Sequence, residues 1–410
     1  MVLQSNFAKR IASNAENTPP ASVLPTKSLS SRLRSTLNDG RHRRRARTTA
    51  STTTGGNPAK YNAEQAARRK RTKAPAASLR FKMKSIAPHP IADVEMADGE
   101  STSTSNNIIP VMLPKELGRP EYCEISREAL LAADPELTDV NPVYLREGLE
   151  AFGPQLLRTL SSVRASTTTD ALPKELNIVV HDLTTALPSH MVAVYGPAPK
   201  NPSPSPSTSS STPAPKRKVT LYPVHSLYLA AHCARLPPFP PTSTSTSTPT
   251  VAPGASSVSY TVPVRPLCLP SPGTYPRLSA YLYTKRTDTL LASLLPTPPP
   301  ASLLQFPSSP SPSPSSSPSP EEQEQEQEHR KHLIPYAHRL AQTYTPQALL
   351  QHALLVHGLW QNTCALGIFE DGLWDVIDRA WKVLLCAIAL ATEVGVDAVL
   401  GDDVPQAQQA

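Results

Sequence analysis

Residues 345–388 read TPQALLQHALLVHGLWQNTCALGIFEDGLWDVIDRAWKVLLCAI, and the fold turns on how that stretch is parsed. Thr345-Pro346 marks a helix start. The threonine oxygen can accept from first-turn N–H groups, and proline lacks the N–H that the first turn leaves unused. Leu349, Leu350, Ala353, Val356, His357, Trp360 and Cys364 then recur as an apolar stripe at helical spacing. A break at residues 367–372 separates it from a second stripe: Leu373, Trp374, Ile377, Trp381, Leu384, Leu385 and Ile388. All three tryptophans of the chain, Trp360, Trp374 and Trp381, lie in this pair. Two antiparallel helices on a short loop would bury those indoles against each other.

Working toward the N-terminus, the blocks become shorter. Glu321 to Glu328 is an acidic spacer or a solvated helix start, and Pro296 to Pro320 is Ser-Pro low complexity. Leu278, Tyr281 and Leu282 mark one helix, and Leu290, Leu291, Leu294 and Leu295 a second set of helical turns. Val258 to Leu269 reads as a strand, which Pro263 and Pro266 confine to a sheet edge. His225 to Cys233 reads as a helix with Leu227, Ala230 and Ala231 on one face, preceded by a strand over Val219 to Tyr222. Leu176 to Val180 and Met191 to Gly196 are β-branched runs, hence two more strands. Asn141-Pro142 opens a helix carrying Leu145, Leu149, Phe152, Leu156 and Leu160, which Gly153-Pro154 should kink or split. Ser126 to Ala133 is a shorter helix.

Composition limits how much of the 410 residues can pack. There are 47 prolines, and the apolar set is 39%, below the roughly 45–50% of globular domains. A modest core interrupted by disordered stretches is expected. The net charge is +7, but residues 1–90 hold 19 Lys and Arg against 3 Asp and Glu. The basic character therefore belongs to an N-terminal arm, and the remainder is acidic. Two clusters dominate the arm, RHRRRAR at 41–47 and RRKRTK at 68–73. Arg43, Arg44, Arg45, Arg68, Arg69, Lys70 and Arg71 fit a nuclear import signal, and Lys216-Arg217-Lys218 is a weaker third. Their expected partner is a nuclear import receptor. Only Tyr61 and Phe81 lie near them, so weak phosphate contact with nucleic acid is conceivable and base readout is not supported.

Five cysteines (Cys123, Cys233, Cys268, Cys364, Cys386) are odd in number and scattered. No proline-free Asn-x-Ser/Thr site occurs, no apolar segment opens the chain, and the longest apolar run, Val383 to Ala391, is too short to span a bilayer. These features point to a reducing interior compartment, free thiols and no membrane partner.

Searches for chemistry return little. No Gly-rich phosphate loop, Gly-x-Ser-x-Gly elbow, His-Glu-x-x-His or Cys-x-x-Cys is present. His225 and His232 would sit two helical turns apart beside Cys233, but no fourth ligand has zinc spacing. His329 with His332, and Cys364 with His357, are weaker still; a cysteine on an apolar stripe is usually a packed hydrophobe. No cofactor, metal site or catalytic residue is therefore expected, and the chain reads as a non-enzyme. Ser203, Ser205, Ser309, Ser311, Ser313, Ser317 and Ser319 precede prolines and would suit proline-directed kinases. Leu227, Leu229, Leu282, Trp360, Trp374 and Trp381 are chosen as structural core.

Two resemblances add to this. HSLYLAA at 225–231, after strand-like runs, resembles the strand-then-helix opening of the BTB/POZ fold, and YPRLSAYLYT at 275–284 resembles that fold's next helix. More specifically, PVHSLYLAAHCARLP (223–237), LCLPSPGTYPRLSAYLYTKRTDTLLASLLP (267–296) and VHGLWQNTCALGIFEDGLWDVIDRAW (356–381) resemble the clampless-type proteins of basidiomycete fungi. That family implies a regulator of sexual development, needed for clamp-connection formation and dikaryon growth and acting with mating-type control in the nucleus. It brings no catalytic residues. The expected fold is α+β, mostly helical, with a BTB/POZ-like core interrupted by long disordered Ser/Thr/Pro linkers. The expected organisation is a disordered basic arm (1–105), a helical segment (106–165), and a BTB-like core (170–295) with inserts near 197–218 and 237–257. A Ser-Pro and Glu/Gln linker (296–330), a C-terminal helical part (331–396) and a tail (397–410) complete it. The partners implied are regulatory proteins, among them mating-type-linked transcription factors. A BTB-like adaptor of a cullin ubiquitin ligase is the alternative.

Overall fold

The two stripes at 345–388 fold as helices, and the second of them packs against four others. The computed structural model describes residues 78–84, 108–165, 172–198, 218–239, 257–304 and 320–400. The fold is α+β and mostly helical. In chain order, strands β1 (Ser78–Lys84) and β2 (Ile108–Pro114) precede helices α1 (Arg127–Ala133) and α2 (Pro142–Ser161). Strands β3 (Val163–Ala165), β4 (Glu175–Val180), β5 (His190–Tyr195) and β6 (Thr220–Val224) follow, then α3 (Ser226–His232) and β7 (Val258–Cys268). Helices α4 (Tyr275–Thr284), α5 (Thr287–Leu294), α6 (Ala301–Leu304), α7 (Pro320–Thr343), α8 (Pro346–Leu366), α9 (Asp371–Ala391) and α10 (Val396–Leu400) complete the described fold.

Thr345 caps α8, its side chain accepting from Ala348 N–H. Gly367 ends it at φ 67°, a left-handed turn that glycine adopts without Cβ cost. α9 buries thirteen of its residues, from Leu373 to Ala389. It packs against α5, α7, α8 and α10. Asp371, Asp375, Asp378, Arg379 and Lys382 keep to one stripe of its first part, and from Val383 to Ala391 it is apolar all round, so that second part must lie inside a bundle.

The five-stranded sheet has the order β3-β4-β7-β5-β6. Leu176, Ile178 and Val180 of β4 alternate inward and cluster with Met191 and Val262. β7 is not the edge strand that its prolines predict. It runs antiparallel to β4 through residues 258–263 and parallel to β5 through 264–268. Each half of this eleven-residue strand has one partner, so Pro263 and Pro266 are tolerated within a strand that lies centrally in the sheet order.

Three other expectations are corrected. Residues 78–84, placed in the arm by their charge, form β1, whose Phe81 and Met83 are buried while Arg80 and Lys82 face solvent. α6 lies in the stretch read as linker, with Leu303 buried. Pro154 does not split α2, which runs unbroken for 20 residues. Gly153 beside it gives α4 close approach, because a Cβ there would run into the Tyr283 carbonyl.

Candidate functional site

Four polar side chains from four separate elements meet between α2, α3, α4 and the loop before α9. Glu150 projects from the middle of α2, His232 ends α3, Lys285 caps α4, and Glu370 lies in the loop between α8 and α9. Lys285 is the centre. Its ammonium donates to Glu370 Oε2 at 2.5 Å, lies 3.3 Å from Glu150 Oε1, and lies 3.2 Å from His232 Nδ1. Tyr281 Oη donates to the other Glu370 oxygen at 2.7 Å. Lys285 has φ 56°, a left-handed cap conformation usually given to glycine. A lysine there bears a backbone cost that its side-chain bonds must offset.

The surroundings are aromatic. Tyr228 stacks on Tyr283 at 4.2 Å, lies 4.7 Å from the His232 ring, and donates to Leu282 O at 2.7 Å. Burial raises the Tyr228 and Tyr283 phenols above their ordinary range. Burial, then the nearby Lys285 and Arg146 charges, holds His232 well below the ordinary imidazole value. His225 is pushed down to about 4 by burial. Its Nε2 lies 3.0 Å from Ala186 O, so that nitrogen carries the proton, and Nδ1 faces Tyr283 Oη at 3.3 Å. The Cys233 thiol is pushed up to about 12 by burial, which suppresses the nucleophilic thiolate.

Glu150, His232 and Glu370 also form a group that could hold a metal ion, their donor atoms all within 4.8 Å of one another. The Lys285 ammonium already stands among them, so the cationic charge such a trio attracts is supplied from within. His225 and His232, the pair weighed for zinc, each turn to their own partners.

A second polar contact is neutral. Asn362 of α8 accepts from Ser271 N–H at 3.0 Å and donates to Ser271 O at 2.6 Å and Thr274 Oγ1 at 2.7 Å. Gly358, one turn earlier, admits Ser271 against the helix, since a Cβ would overlap that side chain.

A third contact is a strap leaving β2. Trp381 donates its indole N–H to Pro114 O at 3.1 Å and Trp360 to Gly118 O at 2.8 Å. Arg119 reaches Asp371, Asp375 and Asp378 on α9 at 3.3–3.5 Å and lies over the Trp374 ring at 5.6 Å.

Two family models match the chain. The model described as Clampless protein 1 N-terminal domain covers residues 120–270, and that described as Clampless protein 1 C-terminal domain covers 288–409. Together they span about two thirds of it. The chain belongs to the clampless family. No curated protein and no solved structure matches it. Set against the clampless segments, the polar contacts gain a meaning. Glu150 and His232 lie in the N-terminal segment and Glu370 in the C-terminal one, while Lys285 falls in the interval that neither model covers. Ser271 and Thr274 lie in that interval too, and they are held by Asn362 of the C-terminal segment.

Of the residues singled out from sequence, Arg43, Arg44, Arg45, Arg68, Arg69, Lys70 and Arg71 lie outside the described residues, as do the Ser-Pro serines and Lys216-Arg217. Leu227, Leu229, Leu282, Trp374 and Trp381 are buried. Trp360 is only half-buried, which departs from its place in the core list. The indoles do not seal against one another. An indole N–H needs an acceptor, and helix-interior carbonyls are taken, so all three reach carbonyls outside the helices: Pro114 at the end of β2, Gly118 and, for Trp374, Ile368 at 3.0 Å. Sequence reasoning passed over Glu150, Lys285, Glu370, Asn362 and Arg119. Lysine at a helix end and glutamate in a loop are common enough that nothing local marks them.

Proposed function

We propose that this chain is a non-enzymatic nuclear regulator of fungal sexual development that works by binding other proteins. The clampless family fits a role in clamp formation and basidiomycete development; the regulatory mechanism is our reading. One observation carries it. The two clampless segments are joined through a polar cluster whose histidine and cysteine are held in unreactive states by burial, a pattern that suits a rigid scaffold better than a reactive site. The Cys364 thiol, at about 11, is likewise raised by burial. The order β5, β6, α3, β7, α4, α5 supports the BTB/POZ-like reading, since HSLYLAA falls on α3 after paired strands and YPRLSAYLYT falls on α4. The family matches do not favour a cullin adaptor.

The basic arm would bind an import receptor, and the folded body would bind regulatory proteins linked to mating-type control. Because β1 contributes buried Phe81 and Met83, a truncation testing import must stop before Ser78. A chain starting at residue 78 is expected to lose nuclear accumulation and keep its thermal transition. Unchanged nuclear signal would defeat the import claim. Restoration of clamps in a mating-defective strain by the full chain, and not by Trp381→Ala, is the matching test of the body. Recovery of a cullin with the folded body would replace the regulator reading with the adaptor.

A further inference from the structure

Two polar contacts of different chemistry tie α8 and the loop before α9 to the elements that precede them in the chain. The Asn362 clamp on Ser271 and Thr274 holds no charge. The Lys285 cluster is charged, and beside it two backbone bonds cross the same seam: Ala234 N–H to Gly367 O at 3.1 Å and Arg235 N–H to Leu366 O at 3.0 Å. We infer that the Lys285 cluster is a pH-sensitive joint, which opens when His232 takes up a proton and frees the 367–370 loop from α2, α3 and α4 while the Asn362 clamp stays closed.

The geometry gives the reason. His232 Nδ1 faces the Lys285 ammonium at 3.2 Å, so the neutral ring must present its lone pair there and carry its proton on Nε2. That Nε2 is buried with no hydrogen-bond partner. A second proton would have to sit on Nδ1, pointing at an ammonium. Titratable and charged groups reach the surroundings of the ring from several elements. From α2 come Arg146 and Glu150; from α3, Tyr228, with Cys233 just beyond its end. From α4 come Tyr281 and Tyr283 with Lys285 at its cap; from the loop before α9 comes Glu370. Arg146 and Lys285 oppose a charged ring. Glu370 is engaged by Lys285 and Tyr281, and Glu150, at 4.0 Å from Nδ1, lies closer to Lys285. The closed joint thus accepts only neutral His232, and an imidazolium gains its hydration by opening. The sign follows from linkage. The closed-state affinity for the proton is below the ordinary one, near pH 6.5, so closure is fully favoured above that pH and weakens as pH falls beneath it.

The test is hydrogen exchange on the full chain between about pH 7.5 and about pH 5.5, corrected for intrinsic rates. Protection at the Ala234 and Arg235 amides should fall on the order of tenfold or more toward the acid end, while the Ser271 amide keeps its protection. His232→Phe, which can keep the ring contact with Tyr228 but cannot titrate, should remove the pH dependence. Lys285→Met carries an opposite expectation: without the ammonium, Glu150 and Glu370 stabilise an imidazolium, so acid should tighten the joint. Unchanged protection at Ala234 and Arg235 in the wild type would overturn the proposal. So would simultaneous loss at Ser271, which means global unfolding, or acid opening that persists in either variant.

Discussion

At Lys285, backbone and side chain pull in opposite directions. The left-handed φ of 56° disfavours any residue with a Cβ, while the ammonium joins two carboxylates from distant parts of the chain. The two effects separate by substitution. Lys285→Ala loses the ion pairs and keeps the backbone cost; Lys285→Gly loses the same pairs and relieves it. Both should destabilise, by about 2 kcal/mol for alanine, less than the ~3–5 kcal/mol of a fully buried broken pair because Lys285 retains some solvent contact. The glycine variant should recover up to ~1 kcal/mol of that. Urea unfolding midpoints of the two chains decide it, and an alanine variant as stable as the glycine one would remove the strain argument. His225 sets a separate acid limit. Its folded value of about 4 lies below the ordinary 6.5, so the stability it contributes is complete above pH 6.5 and is lost as pH falls toward 4. That loss should reach about 2 kcal/mol near pH ~5, from ~1.4 kcal/mol per pH unit. Urea midpoints measured across this range should fall with pH, and His225→Asn should flatten the fall.

Among the elements, α2 tests how closely packing is fitted. Gly153 and Pro154 together read as a kink or split, yet the helix runs on without a split, and a Cβ at Gly153 would meet the Tyr283 carbonyl of α4. Gly153→Ala improves helix propensity by roughly 0.5–1 kcal/mol in isolation, but places a methyl against the Tyr283 carbonyl, an overpacking cost of about 1–3 kcal/mol or more. Net destabilisation is expected, read as a lower thermal midpoint; a rise would show that α4 can shift at no cost. The same contrast between local and tertiary signals explains what could be read from the sequence. α8 and α9 were legible because their apolar stripes are long and Thr345-Pro346 and Gly367 punctuate them. β4 was legible as a β-branched run. β1 was missed although Leu79, Phe81 and Met83 alternate with polar residues, because the interleaved Arg80, Lys82 and Lys84 made it look like more of the arm. The edge reading of β7 failed because proline's rule applies to each pairing side, and this strand changes partner midway. The polar junction was illegible for another reason: Lys285 and Glu370 are 85 positions apart and Arg119 and Asp378 are 259 apart, so only the finished fold brings them together.

For the whole molecule, the family match divides the chain into an N-terminal and a C-terminal domain, but the contacts do not respect that division. The strap at Pro114–Arg119, upstream of or at the edge of the N-terminal match, docks on α8 and α9 of the C-terminal one. Within the C-terminal match, Tyr336 donates to Thr297 O at 2.6 Å, Tyr344 to Pro296 O at 3.3 Å, and Arg379 to Leu303 O. α7 therefore returns to the same body that α6 leaves, packing on α9 with Leu333, Ala337 and Leu340 buried. If the two matched domains were separable modules, covalent continuity would be needed to keep them together. If they share one core, it would not, because burying apolar side chains at about 25 cal/mol per Å² outweighs the entropy of one added chain break. A protease site placed between residues 304 and 320, inside the C-terminal match, tests whether α7 to α10 stay on the shared core without that continuity. The cleaved protein should elute as a single particle at the size of the intact chain and keep its tryptophan emission, because Trp360, Trp374 and Trp381 all sit on α8 and α9 facing partners that the cut leaves in place. Adding Asn362→Ala and Lys285→Ala to the cleavable chain should then lower its dissociation midpoint in urea, since the cut transfers to those two contacts a load that continuity carried. Fragments that separate on cleavage alone would show that α7 to α10 depend on covalent continuity to stay with the rest of the fold.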